Sequence, residues 1–300
     1  MKLLYYETGE VNMTTIIDGR QLARELNAKT QQRVAQLAQR GITPGLAVII
    51  VGTDPASSIY VRNKHKKAGQ LGIRSVVRTF SPTVSQTELL AAVAEYNADP
   101  TIDGILVQSP LPAGLDERAV FDAIAPEKDV DGFHPLNTGK LFGNLPGPYP
   151  VSCTPQGIMT MLKSLHQPLA GKRAVVVGRS NIVGRPMAAL LLNANLVVTV
   201  AHRYAQDLRA LTKTADVLVV ATGITHLIKA ADVKPGAIVI DVGMDRDAQG
   251  KLTGDVDFDA VSPVAGAITP VPGGVGPMTI ATLMQQTVDL CEWREQRGNN

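Results

Sequence analysis

Residues 174–186 constrain the fold more than any other stretch, and they read Ala-Val-Val-Val-Gly-Arg-Ser-Asn-Ile-Val-Gly-Arg-Pro. A β-branched apolar run breaks at Gly178, and either Ser180 or Asn181 can cap a helix that follows. Pro186 suits the first turn of that helix. A strand, a tight turn and a helix N-terminus in this order bind the pyrophosphate of a dinucleotide through backbone N–H groups.

This turn departs from the usual Gly-x-Gly-x-x-Gly fingerprint, because Ser180 stands where the middle glycine belongs. Two interpretations therefore follow from the turn alone. It is a variant of the dinucleotide site, or it is an ordinary buried strand followed by a turn.

The second half of the chain alternates apolar runs with helical patterns. The runs are 174–177, 196–200, 217–221 and 237–241, and the helical patterns are 186–193, 207–214 and a shorter one near 227–231. Such alternation predicts a Rossmann-like, doubly wound parallel sheet. Ligands bind such sheets at the carboxyl ends of the strands, where Gly178, Gly223 and Gly243 are expected.

The first half has an α/β pattern as well. Helices are predicted over 21–39 and 88–97, and strands over 46–51, 75–80 and 104–108. Prolines make 145–150 irregular, Thr154 is expected to cap a helix that runs to about His166, and a last helix is expected over 278–295. We therefore predict two α/β domains with an active-site cleft between them. The first spans 13–150 and is joined by the C-terminal residues 278–300, the second spans 151–277, and 1–12 form a loosely held extension.

Composition excludes several classes of function. A net charge of +2 without a long basic run gives no reason to expect nucleic acid or membrane partners. Two cysteines, Cys153 and Cys291, are too few for a disulfide framework and suggest free thiols in the cytoplasm. The five histidines form no ligand cluster, so no metal is expected, and neither a Gly-x-Ser-x-Gly elbow nor a Walker lysine loop occurs.

The clearest candidate for acid–base chemistry is the pair Tyr60 and Lys64. Asp54 is a good helix cap and Pro55 a good first helical residue, so the pair lies four residues apart on one helical face. A hydroxyl beside an amine can steer a proton if burial lowers the lysine pKa. The alternative is a basic, solvated helix face, because neighbouring positions 62 and 65–67 are also basic or histidine.

Three further segments carry polar or glycine-rich patterns. Asp129 and Asp131 precede Gly132 in a turn that can project one acid into a cleft, or that is a plain Asp-Gly turn. Gln108 ends an apolar strand, where an amide contacts a ligand or simply holds the loop. Residues 269–279 contain three prolines and three glycines, which let backbone approach a flat ligand closely.

Together these pieces resemble the bifunctional methylenetetrahydrofolate dehydrogenase/methenyltetrahydrofolate cyclohydrolase family. The similarity runs from about Ile17 to about Met284 and rests on five motifs in the family's order. The motifs are Tyr60-Val61-Arg62-Asn63-Lys64, Gly-Ile-Leu-Val-Gln at 104–108, Pro-Glu-Lys-Asp-Val-Asp-Gly at 126–132, Val-Gly-Arg-Ser-Asn-Ile-Val-Gly-Arg-Pro at 177–186 and Pro-Gly-Gly-Val-Gly-Pro at 272–277.

The resemblance implies oxidation of 5,10-methylenetetrahydrofolate by a nicotinamide cofactor and hydrolysis of the methenyl product to 10-formyltetrahydrofolate. It implies that Lys64 is the general acid/base, that Tyr60 stacks by the substrate and positions the lysine, and that Gln108 influences the lysine charge. Asp131 would anchor the pterin ring and Ser57 would assist. The other implied substrate contacts are Pro272, Gly273 and Gly274, and the implied cofactor contacts are Gly178, Arg179, Ser180, Ile182, Val183, Arg203 and Met244. The family also suggests a homodimer through the nucleotide domains.

The choice of cofactor depends on the end of the second strand of the nucleotide domain. An NAD site usually places an acid there, whereas this chain has none before Asp207. Arg179 and Arg203 can face a 2′-phosphate, which predicts NADP. The family commonly has His-Ser-Arg-Thr or His-Ser-Lys-Thr, but this chain has His202-Arg203-Tyr204-Ala205, so NAD stays an alternative.

Three rival functions can be distinguished by experiment. The first is a dehydrogenase without cyclohydrolase activity, and the second is a folate or dinucleotide sensor that binds without turnover. The third is an unrelated two-domain dehydrogenase for amino or shikimate-type acids, which would not need Asp131 or the 272–274 loop as a pterin pocket.

Overall fold

The chain builds two parallel sheets in a computed structural model that describes residues 14–246 and 249–298. The larger sheet contains, in spatial order, β1 (Thr15–Ile16), β11 (Ala267–Ile268), β8 (Ile238–Asp241), β7 (Val217–Val220), β5 (Arg173–Val177) and β6 (Val197–Ala201). The smaller sheet contains β3 (Arg74–Phe80), β2 (Gly45–Val51) and β4 (Gly104–Val107). A short antiparallel pair joins β9 (Asp245–Arg246) to β10 (Leu252–Thr253). The predicted α/β class with a doubly wound parallel sheet is confirmed.

Helices connect and cover these strands. Those of the first half are α1 (Gly19–Gln39), α2 (Pro55–Leu71), α3 (Gln86–Ala98), α4 (Glu117–Ala123) and α5 (Pro135–Phe142). Those of the second half are α6 (Cys153–Ser164), α7 (Gly184–Asn193), α8 (Leu208–Thr212), α9 (Phe258–Val261) and α10 (Val275–Gly298). None of the described helices is both long and apolar enough to cross a bilayer.

Two local predictions were wrong. The helix expected near 227–231 is only a 3-10 turn at Ala230–Asp232, because Ile228 forms a parallel bridge with Val256 instead. The helix expected to be capped by Thr154 begins at Cys153, and its N-cap is Ser152, two residues before the predicted cap.

The N-terminal segment crosses to the larger sheet. Strand β1 pairs with β11, and the Ile17 N–H donates to the Ile268 carbonyl at 2.8 Å. Part of the range 13–150 therefore supplies an edge strand to the sheet of the nucleotide half. The proposed domain limits stay a prediction, and the expected extension 1–12 lies outside the described residues.

Helices α1 and α10 contribute to the cores of both sheets. Ala23 of α1 and Met278 of α10 belong to the core under the larger sheet, whereas Val34 and Val288 belong to the core under the smaller one. Arg33 of α1 also forms ion pairs with α10, at 2.6 Å to Asp289 and 2.8 Å to Glu292. Burial of this shared apolar surface holds the two sheets against each other.

Candidate active site

Helix α2 brings two of the predicted catalytic side chains to one face. The helix begins at Pro55 after Asp54, whose carboxylate accepts a hydrogen bond from the Ser57 N–H at 2.8 Å, so the predicted cap is confirmed. Tyr60 and Lys64 are four residues apart and lie one above the other. Lys64 Nζ is 4.9 Å from the centroid of the Tyr60 ring.

The end of strand β4 supplies the hydrogen-bond partner of the lysine. Gln108 Oε1 accepts from Lys64 Nζ at 3.1 Å. Gln108 Nε2 donates to the Ser109 carbonyl at 2.8 Å, and this second bond turns the amide oxygen toward the lysine. Lys64 is only 6% exposed, so it lies inside the protein rather than on the solvated basic face that spacing alone allowed.

Burial shifts the charge equilibrium of this lysine. Removal from water disfavours the ammonium form, so burial lowers the pKa of Lys64. The negative charge of Asp131 acts in the opposite direction and limits the fall in pKa. The amine is therefore easier to deprotonate than an ordinary lysine, as a general base requires.

The acidic turn after β4 contains one carboxylate with a structural task. Asp129 is buried and accepts hydrogen bonds from the N–H groups of Phe133 at 3.1 Å and His134 at 2.9 Å. Asn137 Nδ2 adds a third bond to it at 2.9 Å. Asp129 thus ties the turn to the start of α5.

Asp131 is the carboxylate of that turn that interacts with the buried lysine. Burial raises the pKa of Asp131 to about 6, and the positive charge of Lys64 opposes the rise. Burial, reinforced by the charge of Asp131, raises the pKa of the Tyr60 phenol to about 12. Near neutral pH the site therefore offers an ionised carboxylate and a protonated phenol beside a lysine with a lowered pKa.

A cleft of about 330 Å³ joins the catalytic helix to the carboxyl edge of the larger sheet. Its walls include Tyr60 of α2, Val183 of the glycine turn, Met244 after β8, and the loop 270–277. The structure thus brings the predicted substrate contacts 272–274 together with Tyr60 and with two predicted cofactor contacts. One wall of the cleft belongs to the catalytic half and the other to the nucleotide half.

The glycine turn between β5 and α7 has the geometry that its sequence predicts. Gly178 has a φ of +124°, and a Cβ at this position would lie 2.2 Å from the Ala221 carbonyl oxygen, so only glycine fits. Ser180 Oγ accepts hydrogen bonds from the N–H groups of Val183 at 3.2 Å and Gly184 at 3.3 Å. The N-cap of α7 is Val183, so the prediction that Ser180 or Asn181 caps this helix was wrong. Ser180 instead holds the turn that precedes the helix.

Two guanidinium groups meet at the end of β6, apart from the walls of the cleft. The ring of Tyr204 has the guanidinium carbon of Arg203 at 4.9 Å and that of Arg179 at 5.7 Å from its centroid. Arg203 Nη2 also donates to the Tyr204 hydroxyl at 2.9 Å. The unusual sequence at this strand end therefore still gathers two positive charges.

Two buried aspartates that the sequence analysis missed hold the loops at this sheet edge. Asp241 ends β8 and accepts hydrogen bonds from the N–H groups of Gly243 at 2.9 Å and Asp255 at 3.0 Å. Asp255 accepts in turn from the Thr222 hydroxyl at 2.9 Å and the Ile224 N–H at 3.1 Å. The available signal was an aspartate close to a glycine at the end of a predicted strand.

Arg20 is a second omission, because it lines the cleft. Its backbone N–H donates to the Gly273 carbonyl at 3.1 Å. A single arginine in the first turn of a helix carries no signal of its own in a sequence. Among the residues that the structure describes, no group of three His, Cys, Asp or Glu side chains is placed to hold a metal ion.

Two family models match the chain one after the other. The catalytic domain of tetrahydrofolate dehydrogenase/cyclohydrolase matches residues 17–131. The NAD(P)-binding domain of tetrahydrofolate dehydrogenase/cyclohydrolase matches residues 152–295.

Curated relatives are similar over almost their whole length. Bifunctional protein FolD of Levilactobacillus brevis is 75% identical over 288 residues, which cover 96% of this chain and 100% of the relative. Bifunctional protein FolD of Lactiplantibacillus plantarum is 65% identical over 283 residues, which cover 94% of this chain and 99% of the relative.

Solved structures agree in fold as well. The bifunctional FolD methylenetetrahydrofolate dehydrogenase/cyclohydrolase of Campylobacter jejuni superposes with a TM-score of 0.92 at 45% identity, covering 94% of this chain and 99% of that chain. The Trypanosoma brucei enzyme, solved with NADP cofactor and an inhibitor, has a TM-score of 0.91 at 37% identity with the same coverage. On this evidence the chain belongs to the tetrahydrofolate dehydrogenase/cyclohydrolase family.

Proposed function

We propose that this protein catalyses the two linked one-carbon reactions of its family. A hydride first passes from 5,10-methylenetetrahydrofolate to NADP, which leaves the cationic 5,10-methenyltetrahydrofolate. Water then adds to that cation, and ring opening gives 10-formyltetrahydrofolate with net release of one proton. The observation that carries the proposal is the buried Lys64, hydrogen-bonded to Gln108 at 3.1 Å and stacked against Tyr60 of the cleft.

Lys64 serves as the proton-transfer group of the hydrolysis. In its neutral form the amine accepts a proton from the water that attacks the methenyl carbon. The lowered pKa of Lys64 favours this neutral form, and the positive charge of the substrate favours it further. An unrelated dehydrogenase is excluded by membership of the family. The intact set of Tyr60, Lys64 and Gln108 argues against a dehydrogenase without hydrolysis.

The remaining folate-side residues bind rather than react. Asp131, ionised above its pKa of about 6, accepts hydrogen bonds from the amino and ring nitrogens of the pterin. Ser57 lies one helical turn before Tyr60 and assists in the same pocket. The loop 272–274 supplies backbone that can approach the flat ligand closely.

Hydride transfer asks less of the side chains. When bound, the nicotinamide accepts the hydride, and the protein needs only to hold donor and acceptor against each other. The cleft between Tyr60 on one side and Val183 and Met244 on the other fits this task.

Replacement of the lysine separates the two activities. We expect Lys64→Met to abolish hydrolysis of methenyltetrahydrofolate and to reduce NADP-dependent oxidation of methylenetetrahydrofolate much less, because only the hydrolysis needs a base. A spectrophotometric assay that follows formation and decay of the methenyl product measures both steps. Lys66→Met, which removes an exposed lysine from the same helix, is the matched control. Undiminished hydrolysis by Lys64→Met would contradict the role of the lysine.

Gln108 should influence the pH dependence of the hydrolysis through the pKa of Lys64. The amide oxygen accepts from Lys64 and so favours the ammonium form. Gln108→Leu should lower the lysine pKa further. In a plot of hydrolysis kcat/KM against pH, the rising part of the curve should then shift by about one unit to lower pH. Gln108→Glu adds a negative charge and should move the rising part to higher pH. The profiles are measured as kcat/KM, after subtraction of uncatalysed hydrolysis, and shifts of both variants in one direction would refute this account.

NADP is the proposed cofactor rather than NAD. The glycine turn leads into the N-terminus of α7, which suits a pyrophosphate. Arg179 and Arg203 stand together at the end of β6, where a 2′-phosphate needs positive charge.

Cofactor selectivity tests this assignment. We expect wild-type turnover to favour NADP over NAD, and Arg203→Gln to reduce the ratio of kcat/KM for NADP to that for NAD by about tenfold or more, since a phosphate loses a charge-assisted hydrogen bond. Arg173→Gln is the control, because this arginine lies at the amino end of β5, away from the carboxyl ends of the strands where Arg179 and Arg203 lie. A wild-type preference for NAD would refute the assignment.

The same proposal includes a homodimer formed through the nucleotide halves and a cytoplasmic location. Both cysteines are free thiols, which suits the cytoplasm. Strand β6 is an edge of the larger sheet, and its Val197 is 61% exposed. Exposed apolar edges of this kind are protected when a second copy pairs with them.

Sedimentation at micromolar concentration measures the assembly. We expect a wild-type dimer that Val197→Lys converts to a monomer, because the substitution places a charge in the apolar contact. Val77→Lys is the control, since this partly exposed valine lies on β3, an edge strand of the other sheet. A monomeric wild-type protein would disprove the dimer.

A further inference from the structure

The hydroxyl of Ser152 is used in an unexpected way. Ser152 is the N-cap of α6, yet within the described chain its side chain makes no hydrogen bond to the first turn of that helix. A serine at this position ordinarily accepts a bond from those N–H groups. Here the hydroxyl donates to the Ile182 carbonyl at 2.5 Å, and the residue is only 2% exposed. The side chain therefore joins α6 to the glycine turn instead of stabilising its own helix.

The backbone beside Ser152 is held to the folate side of the cleft. Gln286 of α10 donates through Nε2 to the carbonyls of Val130 at 2.6 Å and Val151 at 2.9 Å. Its Oε1 accepts from the Val151 N–H at 3.1 Å. One buried amide thus fastens the residue before Ser152 to the residue before Asp131.

The acidic turn also packs directly on this segment. Gly132 has a φ of +70°, and a Cβ on it would lie 2.4 Å from the Val151 carbonyl carbon and 2.5 Å from the Ser152 nitrogen. The two backbones touch with no side chain between them. The position of Ser152 is therefore set by the turn that carries Asp131.

The other end of the bond lies in the glycine turn. Ile182 falls between Ser180, whose Oγ accepts from the Val183 N–H, and Val183, which lines the cleft. The bond from Ser152 to Ile182 thus connects the segment that carries the folate carboxylate to the turn at the cofactor wall.

We propose that Ser152 is a positioning residue for hydride transfer, acting through Ile182 to set the separation of the two walls of the cleft. The inference rests on the proposed function. Hydride transfer needs donor and acceptor at about 3–3.5 Å, and small displacements slow such a step strongly. Hydrolysis of the methenyl cation uses Lys64 and the folate wall alone. Ser152 therefore matters for one of the two activities.

The test compares both activities in Ser152→Ala and Ser152→Thr. In Ser152→Ala we expect the kcat for NADP-dependent oxidation to fall by about tenfold, with hydrolysis of added methenyltetrahydrofolate within about twofold of wild type. Ser152→Thr keeps the hydroxyl and should restore most of the lost kcat. Because intact hydrolysis requires a folded protein, it reports folding in the same sample.

Ser85→Ala is the matched control for loss of a helix-cap hydroxyl. Ser85 caps α3 in the ordinary way, accepting from the Glu88 N–H at 3.2 Å. This variant should lower the melting temperature and leave the ratio of the two activities unchanged.

Two results would overturn the inference about Ser152. One is an unchanged ratio of oxidation to hydrolysis in Ser152→Ala, and the other is failure of the threonine variant to recover oxidation. Failure of the proposed function is seen separately, because the wild-type protein itself would then lack one of the activities.

Discussion

The contact between Gly19 and Gly274 is the constraint on which the cleft depends. A Cβ on Gly19 would lie 1.8 Å from the Gly274 carbonyl oxygen, so the first turns of α1 and α10 meet backbone to backbone. From this point the two helices run side by side, and the ion pair of Arg33 with Asp289 lies further along both. Each of the two helices contributes residues to both cores. The apolar burial that stabilises the sheets therefore also fixes the position of the loop 270–277, which forms part of the cleft.

Within that frame, one low-polarity environment gives three side chains different protonation behaviour. Burial lowers the pKa of Lys64, raises that of Asp131 to about 6 and raises that of Tyr60 to about 12. The shifts share a cause and differ in sign because burial always disfavours the charged form. The raised pKa of Asp131 has a consequence for stability. As pH rises from about 4 to 6, an unfolded chain loses this proton more readily than the folded protein, so the free energy of unfolding decreases. Keeping an ionised Asp131 in the buried site near neutral pH therefore lowers the stability of the fold.

The sequence predicted the long elements well and the short ones poorly. The runs at 174–177 and 217–221 are apolar, rich in valine and followed closely by glycine, so their strands were placed within one residue. Strands β1 and β11 are two residues each, too short for any periodic pattern, and they form because distant segments meet.

In the candidate site too, features set by neighbouring residues were predicted and features set by distant residues were not. Spacing placed Tyr60 and Lys64 on one helical face, but it could not tell a buried lysine from a solvated one. Gln108 and Asp131, which decide that question, lie more than 40 residues away in the sequence. Only the order of all five motifs carried the identification. Ser152 shows the limit, since a serine that caps its own helix and one that bonds to a distant turn look alike in a sequence.

The electrostatics of one pocket couple the two proposed reactions. Before hydride transfer the one-carbon bridge of the substrate is neutral, while burial lowers the pKa of Lys64 and the charge of Asp131 opposes that fall. Hydride transfer would move the positive charge of the oxidised nicotinamide onto the one-carbon bridge of the folate, and a like charge near the lysine disfavours its ammonium form. The product of the first step therefore promotes the neutral amine that the second step requires.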